Sequence, residues 1–205
     1  MYLPDHFVET DPQAIDGLIA AHPLAQLIAQ TPAGLVANPL PLLLVGGGLI
    51  GHLARANTMH QTVGQGAPVL ALFSGPDAYV SPNWYPTKAE THKAVPTWNY
   101  QQVQVHGTIH FSHLEADKRR AVSLLTSRME GQTNGPSAWR MGDAPEDFLR
   151  DRLAEIVALR IDITRVLAKS KLSQNRRADD RASVAGQVEA RGIPALARAM
   201  RRKTD

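Results

Sequence analysis

The chain has no cysteine, which removes disulfides, thiol nucleophiles and thiolate metal sites together. No apolar run nears the ~20 residues that a bilayer-spanning helix needs. The opening Met1-Tyr2-Leu3-Pro4-Asp5 lacks the basic region and apolar core of a signal peptide, so a cytoplasmic protein without a membrane partner is expected. There is no Gly-x-Ser-x-Gly elbow and no evident pair of catalytic carboxylates. Asp179-Asp180 and Glu146-Asp147 fit helix-start charges instead. Eight histidines invite a metal reading. His106 and His110, however, share a strand face about 13 Å apart at ~3.3 Å per residue, too far to hold one ion. No catalytic residue and no metal ligand is therefore assigned.

Aromatic residues are also scarce, at 5%, which makes their placement informative. Two of three tryptophans and two of four tyrosines fall in Ser81-Pro82-Asn83-Trp84-Tyr85 and Pro96-Thr97-Trp98-Asn99-Tyr100. Each run mixes flat aromatic surface with amides and hydroxyls, a mixture that suits a planar, heteroatom-rich ligand. The same residues serve equally well as core and corner fillers. Charge is uneven as well. The net charge is +3, but the stretch from Lys169 onward carries about +6, and Arg198, Arg201, Arg202 and Lys203 crowd its end. Such a tail suits nucleic-acid or ligand phosphates, or is a solvated terminus.

At 205 residues the chain can bury a sizeable core. Thr10-Asp11-Pro12 opens a helix that His22-Pro23 closes. Leu24 to Ala29 reads as a strand. Leu40–Val45 and Leu49–Ala56 read as a hairpin turned by Gly46-Gly47-Gly48. Val69–Phe73 is a strand that resumes at Ala78-Tyr79-Val80 after Ser74-Gly75-Pro76-Asp77. From Val103 to Phe111 the alternation puts Val103, Val105, Ile109 and Phe111 on one face and Gln104, His106, Thr108 and His110 on the other. Ser112 and Glu115 have capping-box spacing before a helix with Leu114, Ala121, Val122, Leu125 and Met129 on one side. A helix from Pro145 leads into a last strand, Val157–Ala168. Gly192 and Pro194 split the remaining sequence into two helices. Six strands with helices at the edges predict a mainly β, α+β antiparallel barrel. A Rossmann fold is excluded, because the three glycines join two strands and open no helix. Two parts are expected: a barrel domain over 1–175 and a basic helical tail over 176–205.

Arg55 and Lys171 supply cations for a phosphate. Asn57, Ser81, Asn99, Gln174 and Asn175 supply polar groups for a heteroaromatic edge, unless they only form turns. Trp84, Trp98 and Tyr100 could flank a ring. Taken in order, His52-Leu53-Ala54-Arg55-Ala56-Asn57, Ser81-Pro82-x-Trp84-Tyr85, Val95-Pro96-Thr97-Trp98-Asn99-Tyr100 and Lys171-Leu172-Ser173-Gln174-Asn175-Arg176 resemble the PaiB family of FMN-binding negative transcriptional regulators. The opening Met1-Tyr2-x-Pro4-x-His6-Phe7 fits it too, so the resemblance spans nearly the whole chain. It implies an FMN-binding split β-barrel, related in fold to pyridoxamine phosphate oxidases and flavin reductases. It also implies a homodimer with flavin at the subunit interface, and repression of protease and sporulation genes. By that resemblance Arg55 lies near the FMN phosphate with His52, Leu53, Ala54 and Asn57 alongside. Ser81, Trp84, Tyr85, Thr97, Trp98, Asn99 and Tyr100 line the ring, and Lys171, Gln174 and Asn175 close the site. Alternatives are a flavin-dependent oxidoreductase or haem-handling relative, and a flavin-free dimer that binds DNA through its basic tail.

Overall fold

The computed structural model of the chain describes residues 1–202. A 3-10 turn at Asp5–Phe7 is followed by α1 (Pro12–Ala21), β1 (Leu24–Thr31), β2 (Gly34–Val45), β3 (Gly48–Ala54) and α2 (Met59–Thr62). Next come β4 (Ala67–Val80), α3 (Lys88–Thr91), β5 (Thr97–Ser112), α4 (Glu115–Thr133) and α5 (Glu146–Ala154). The chain continues with β6 (Ile156–Lys171), α6 (Ala178–Ala190) and α7 (Pro194–Arg202). The strands close a barrel in the order β1-β2-β3-β6-β5-β4, the mainly β antiparallel architecture expected. Two compact units result. One comprises Ile19–Phe73 and Gln104–Val166; the other comprises Met1–Leu18, Ser74–Val103 and the chain from Leu167 onward.

In the barrel unit, the β2–β3 hairpin pairs Val45 with Gly48 across the two-residue turn Gly46-Gly47. Both turn glycines have positive φ, +58° and +74°, as a type I′ turn requires. The interior is apolar: Leu27, Leu42, Leu49, Leu53, Phe73, Ile109 and Ile161 are almost fully buried. The alternation read along β5 holds, with Val103, Val105, Ile109 and Phe111 buried. At Gly107 the sheet closes tightly, because a Cβ there would meet the Asp162 carbonyl oxygen at 2.5 Å and Ile161 Cγ2 at 2.6 Å.

Several boundaries differ from the sequence reading. β2 starts at Gly34 rather than Leu40 and pairs with β1 from the Thr31↔Gly34 position onward. β4 runs unbroken through Ser74-Gly75-Pro76-Asp77. That segment is no turn; its glycine allows close approach, since a Cβ at Gly75 would lie 2.8 Å from Leu18 Cδ1. The capping box at Ser112 does not form. The Ser112 hydroxyl instead donates to Asp117 Oδ2 at 2.5 Å, and its oxygen accepts from Leu114 N at 3.2 Å. Leu114 itself is exposed.

The second unit has its own core. Val184, Ala185 and Val188 of α6, with Leu196, Ala197, Ala199 and Met200 of α7, pack with Ala78, Val80, Tyr85 and Leu172. Arg198, Arg201 and Arg202 lie on the exposed side of α7, and Arg201 pairs with Glu189 at 2.5 Å. The fourth cation of the predicted basic cluster, Lys203, lies outside the described residues.

Candidate functional site

β5 begins at Thr97, six residues before the alternation becomes visible, so Thr97-Trp98-Asn99-Tyr100 are strand residues. Within this second unit the start of β5 meets the end of β6. The Lys171 ammonium donates to Thr97 Oγ1 at 2.5 Å and to the Trp98 carbonyl. Burial, helped by the charges of Lys169 and Arg176, holds Lys171 below the ordinary lysine pKa. Asn99 is buried and its amide donates to Ser173 Oγ at 2.9 Å. Ser173 takes the left-handed region, φ +66°, to turn the chain out of β6. Gln174 is committed to that turn: its amide donates to the Ser170 carbonyl at 2.5 Å, and its oxygen accepts from Leu172 N at 2.7 Å.

Tyr85 completes the arrangement from the segment after β4. Its ring carries the Arg176 guanidinium at 4.9 Å. Its buried hydroxyl lies beside Ser173 and Arg176 without a well-formed hydrogen bond among the described residues. Burial pushes its pKa up against the opposing charge of Arg176, and the carboxylate of Asp180 adds to the rise. These side chains line a cavity of about 110 Å³, with Phe7 and Asn175 on its wall.

The other aromatic candidates in the unit are differently engaged. Ser81 Oγ accepts from Asn83 N at 3.2 Å and so caps the 3-10 turn Pro82–Trp84. Trp84 sits beneath Arg191, 4.3 Å from its guanidinium. Trp98 is 53% exposed and meets Tyr79, 47% exposed, edge to face at 6.2 Å. Tyr100 faces the ammonium of Lys169 at 5.4 Å, which also donates to the Tyr2 carbonyl at 3.0 Å.

In the barrel unit, His52, Leu53 and Ala54 lie on β3, whereas Arg55 and Asn57 lie past its end, because the strand stops at Ala54 rather than Ala56. Leu53 is buried and faces the core, while Ala54 is exposed. His52 is half-buried, its Nδ1 without a partner, and burial lowers its pKa. Asn57 is spent locally: its amide donates to Asn38 Oδ1 at 3.0 Å, and its oxygen accepts from Met59 N at 3.0 Å at the start of α2. Arg55 is anchored through its backbone, with its N–H on the Glu155 carbonyl at 2.7 Å and its own carbonyl 3.0 Å from His60 Nε2. Its guanidinium is exposed and forms no ion pair among the described residues.

Five sequence candidates, Tyr85, Thr97, Asn99, Lys171 and Asn175, thus share one cavity. Sequence reasoning missed Arg176, Ser173 and Phe7 there, although all three stand inside motifs it had quoted. The donor set fits parts of a flavin mononucleotide. Lysine, arginine and amide groups, with no carboxylate on the cavity wall, suit a phosphate or an electron-rich ring edge. At about 110 Å³ the cavity is smaller than the ~300–1,000 Å³ of a complete small-molecule pocket. No group of three or more metal-ligating side chains occurs among the described residues, and no helix there is long and apolar enough to cross a membrane.

The sequence profile of the family described as "Putative FMN-binding domain" matches residues 1–165. Protease synthase and sporulation protein PAI 2 of Bacillus subtilis is 29% identical over 194 residues, covering 92% of this chain and 89% of that protein. Among solved structures, the FAD and haem binding protein from Mycobacterium smegmatis superposes with a TM-score of 0.60 at 22% identity, covering 84% of this chain and 77% of that one. The flavocytochrome Anf3 from Azotobacter vinelandii superposes with a TM-score of 0.60 at 14% identity, covering 86% and 75%. At these identities the two structures establish a shared fold. With the barrel, the family profile and the Bacillus relative in agreement, the chain belongs to the PaiB-like family of FMN-binding proteins.

Proposed function

We propose that the protein is an FMN-binding regulator of gene expression that works as a homodimer, with flavin held where two copies of the chain meet. The observation that carries this reading is the cation-rich, acid-free cavity wall within a chain of an FMN-binding family. Its size supports a site completed by a second copy. FMN, when bound, supplies reversible electron transfer, which suits a redox-sensing ligand. The chain's own groups bind and orient it. In the second unit Asn175 takes the polar edge of the ring and the exposed Trp98 indole offers a stacking face; Arg55, in the barrel unit, is tested separately as the phosphate contact.

The test is paired titration of FMN and riboflavin, which lacks the phosphate, into wild-type and Arg55→Ala protein. Loss of a charge-assisted hydrogen bond, about 1.5–3 kcal/mol, should weaken FMN roughly 10- to 150-fold. Riboflavin affinity should be unchanged. Equal loss for both ligands, or for neither, removes Arg55 from the phosphate site.

A regulator also needs a contact with DNA, and the exposed arginines of α7 supply the charge for it. Retardation of duplex DNA should then weaken steeply as salt rises, because phosphate contacts release counterions. Salt-independent binding would exclude this mode.

A further inference from the structure

The cavity walled by Tyr85, Lys171 and Arg176 is incomplete in a specific way. Its two cations have no acid among the residues that line it. Lys171 has three donors; two go to Thr97 Oγ1 and the Trp98 carbonyl, which leaves one. The Arg176 guanidinium lies 4.9 Å from the centroid of the Tyr85 ring, and that contact holds a planar fork of N–H donors in place. Tyr85 is 4% exposed, and its hydroxyl, beside Ser173 and Arg176, makes no well-formed hydrogen bond among the described residues, which leaves it capacity for a further partner. Asp180, whose charge reaches Tyr85, is taken up by Thr87, accepting from its N–H at 3.1 Å and its hydroxyl at 2.7 Å. The charges acting on Lys171 are those of Lys169 and Arg176, both of its own sign.

We propose that this cavity seats an oxyanion, a phosphate or carboxylate group, bound by the Arg176 guanidinium, the remaining Lys171 donor and the Tyr85 hydroxyl. The volume of about 110 Å³ holds such a group with a water or two, at ~30 Å³ per water, but not a three-ring flavin. The group is the acid of a separate small molecule, or the flavin's own phosphate if the Arg55 test removes Arg55 from that role. The assignment goes beyond the flavin reading and stands on Arg176, which that reading does not use.

Calorimetric titration of the full chain with inorganic phosphate, without and with FMN, tests it. Wild type should bind phosphate. Arg176→Gln and Lys171→Met should each weaken it at least tenfold, and Tyr85→Phe, which removes only the hydroxyl, at least threefold. The charge control Arg128→Gln on the exposed side of α4 should leave phosphate binding unchanged. Competition between phosphate and FMN assigns the oxyanion to the flavin's own phosphate; equal phosphate affinity in flavin-loaded protein assigns it to a separate acid. Absence of phosphate binding, or binding that ignores all three cavity substitutions (an adventitious ion only), overturns the proposal. The flavin reading would survive that result if FMN still binds.

Discussion

His52 shows how a single side chain can carry a pH response. Its ring is half-buried on β3, Nδ1 has no partner, and burial holds its pKa below the ordinary value near 6.5. Between the lowered folded value and 6.5 the unfolded chain binds more protons than the folded one, so stability rises with pH through that window. The contribution is fully present above about 6.5 and is lost as pH falls through the folded value. His52→Gln keeps a polar group but cannot titrate. Denaturant melts at pH 7.5 and pH 5 should show a smaller acid-side loss of stability for the variant than for wild type. Equal losses would mean that His52 does not titrate in this range. Among the residues of the cavity, Thr97 entered only through the family resemblance, whereas Asn99, Lys171 and Asn175 were legible because cations and amides near strand ends stand out against an otherwise ordinary composition. Arg176 was not, because it opens a charge-rich stretch and looks like the first residue of a solvated helix. Only the three-dimensional contact with Tyr85 separates it from Arg177, which pairs with Glu90 and Asp179 on the surface.

At the scale of elements, β5 was half legible. Its later part alternates apolar and polar residues and announced itself, but Thr97–Gln102 carries aromatic and amide side chains without alternation. Two-faced packing explains the difference: Asn99 is buried against Ser173 and the Met200 sulfur, while Trp98 points outward. The Ser74–Asp77 segment of β4 misled for the opposite reason, since glycine and proline imitate a turn where the strand only needs room beside Leu18. Gly107 makes the same point testably in the barrel unit. Alanine there drives a methyl into the Asp162 carbonyl and Ile161. Gly107→Ala should therefore destabilise the protein by about 1–3 kcal/mol, the usual cost of overpacking. Gly186, with open space around its position in α6, should instead tolerate alanine with no loss. Equal stability of the two variants in urea melts would contradict the close β5–β6 approach. The stretch from 176 onward looked like a basic appendage because its charge dominates its composition. Its spaced Val184, Val188, Leu196 and Met200 are what the structure buries.

At the scale of the whole molecule, a six-stranded closed barrel and membership of an FMN-binding family agree with one another. The barrel was legible because six strands with turn signals, and helices at the edges rather than between every strand, argue for an antiparallel sheet. The homodimer reading was not legible in composition or periodicity and entered only through the family resemblance. The cavity of about 110 Å³ and the exposed Tyr79–Trp98 pair are what the homodimer reading accounts for. Size-exclusion chromatography of protein mixed with FMN, with flavin absorbance and light scattering recorded together, tests that reading most directly. The account predicts flavin absorbance eluting with a species of twice the 22.3 kDa chain mass. Flavin that elutes only in the small-molecule volume, from a protein at the single-chain mass, would contradict it.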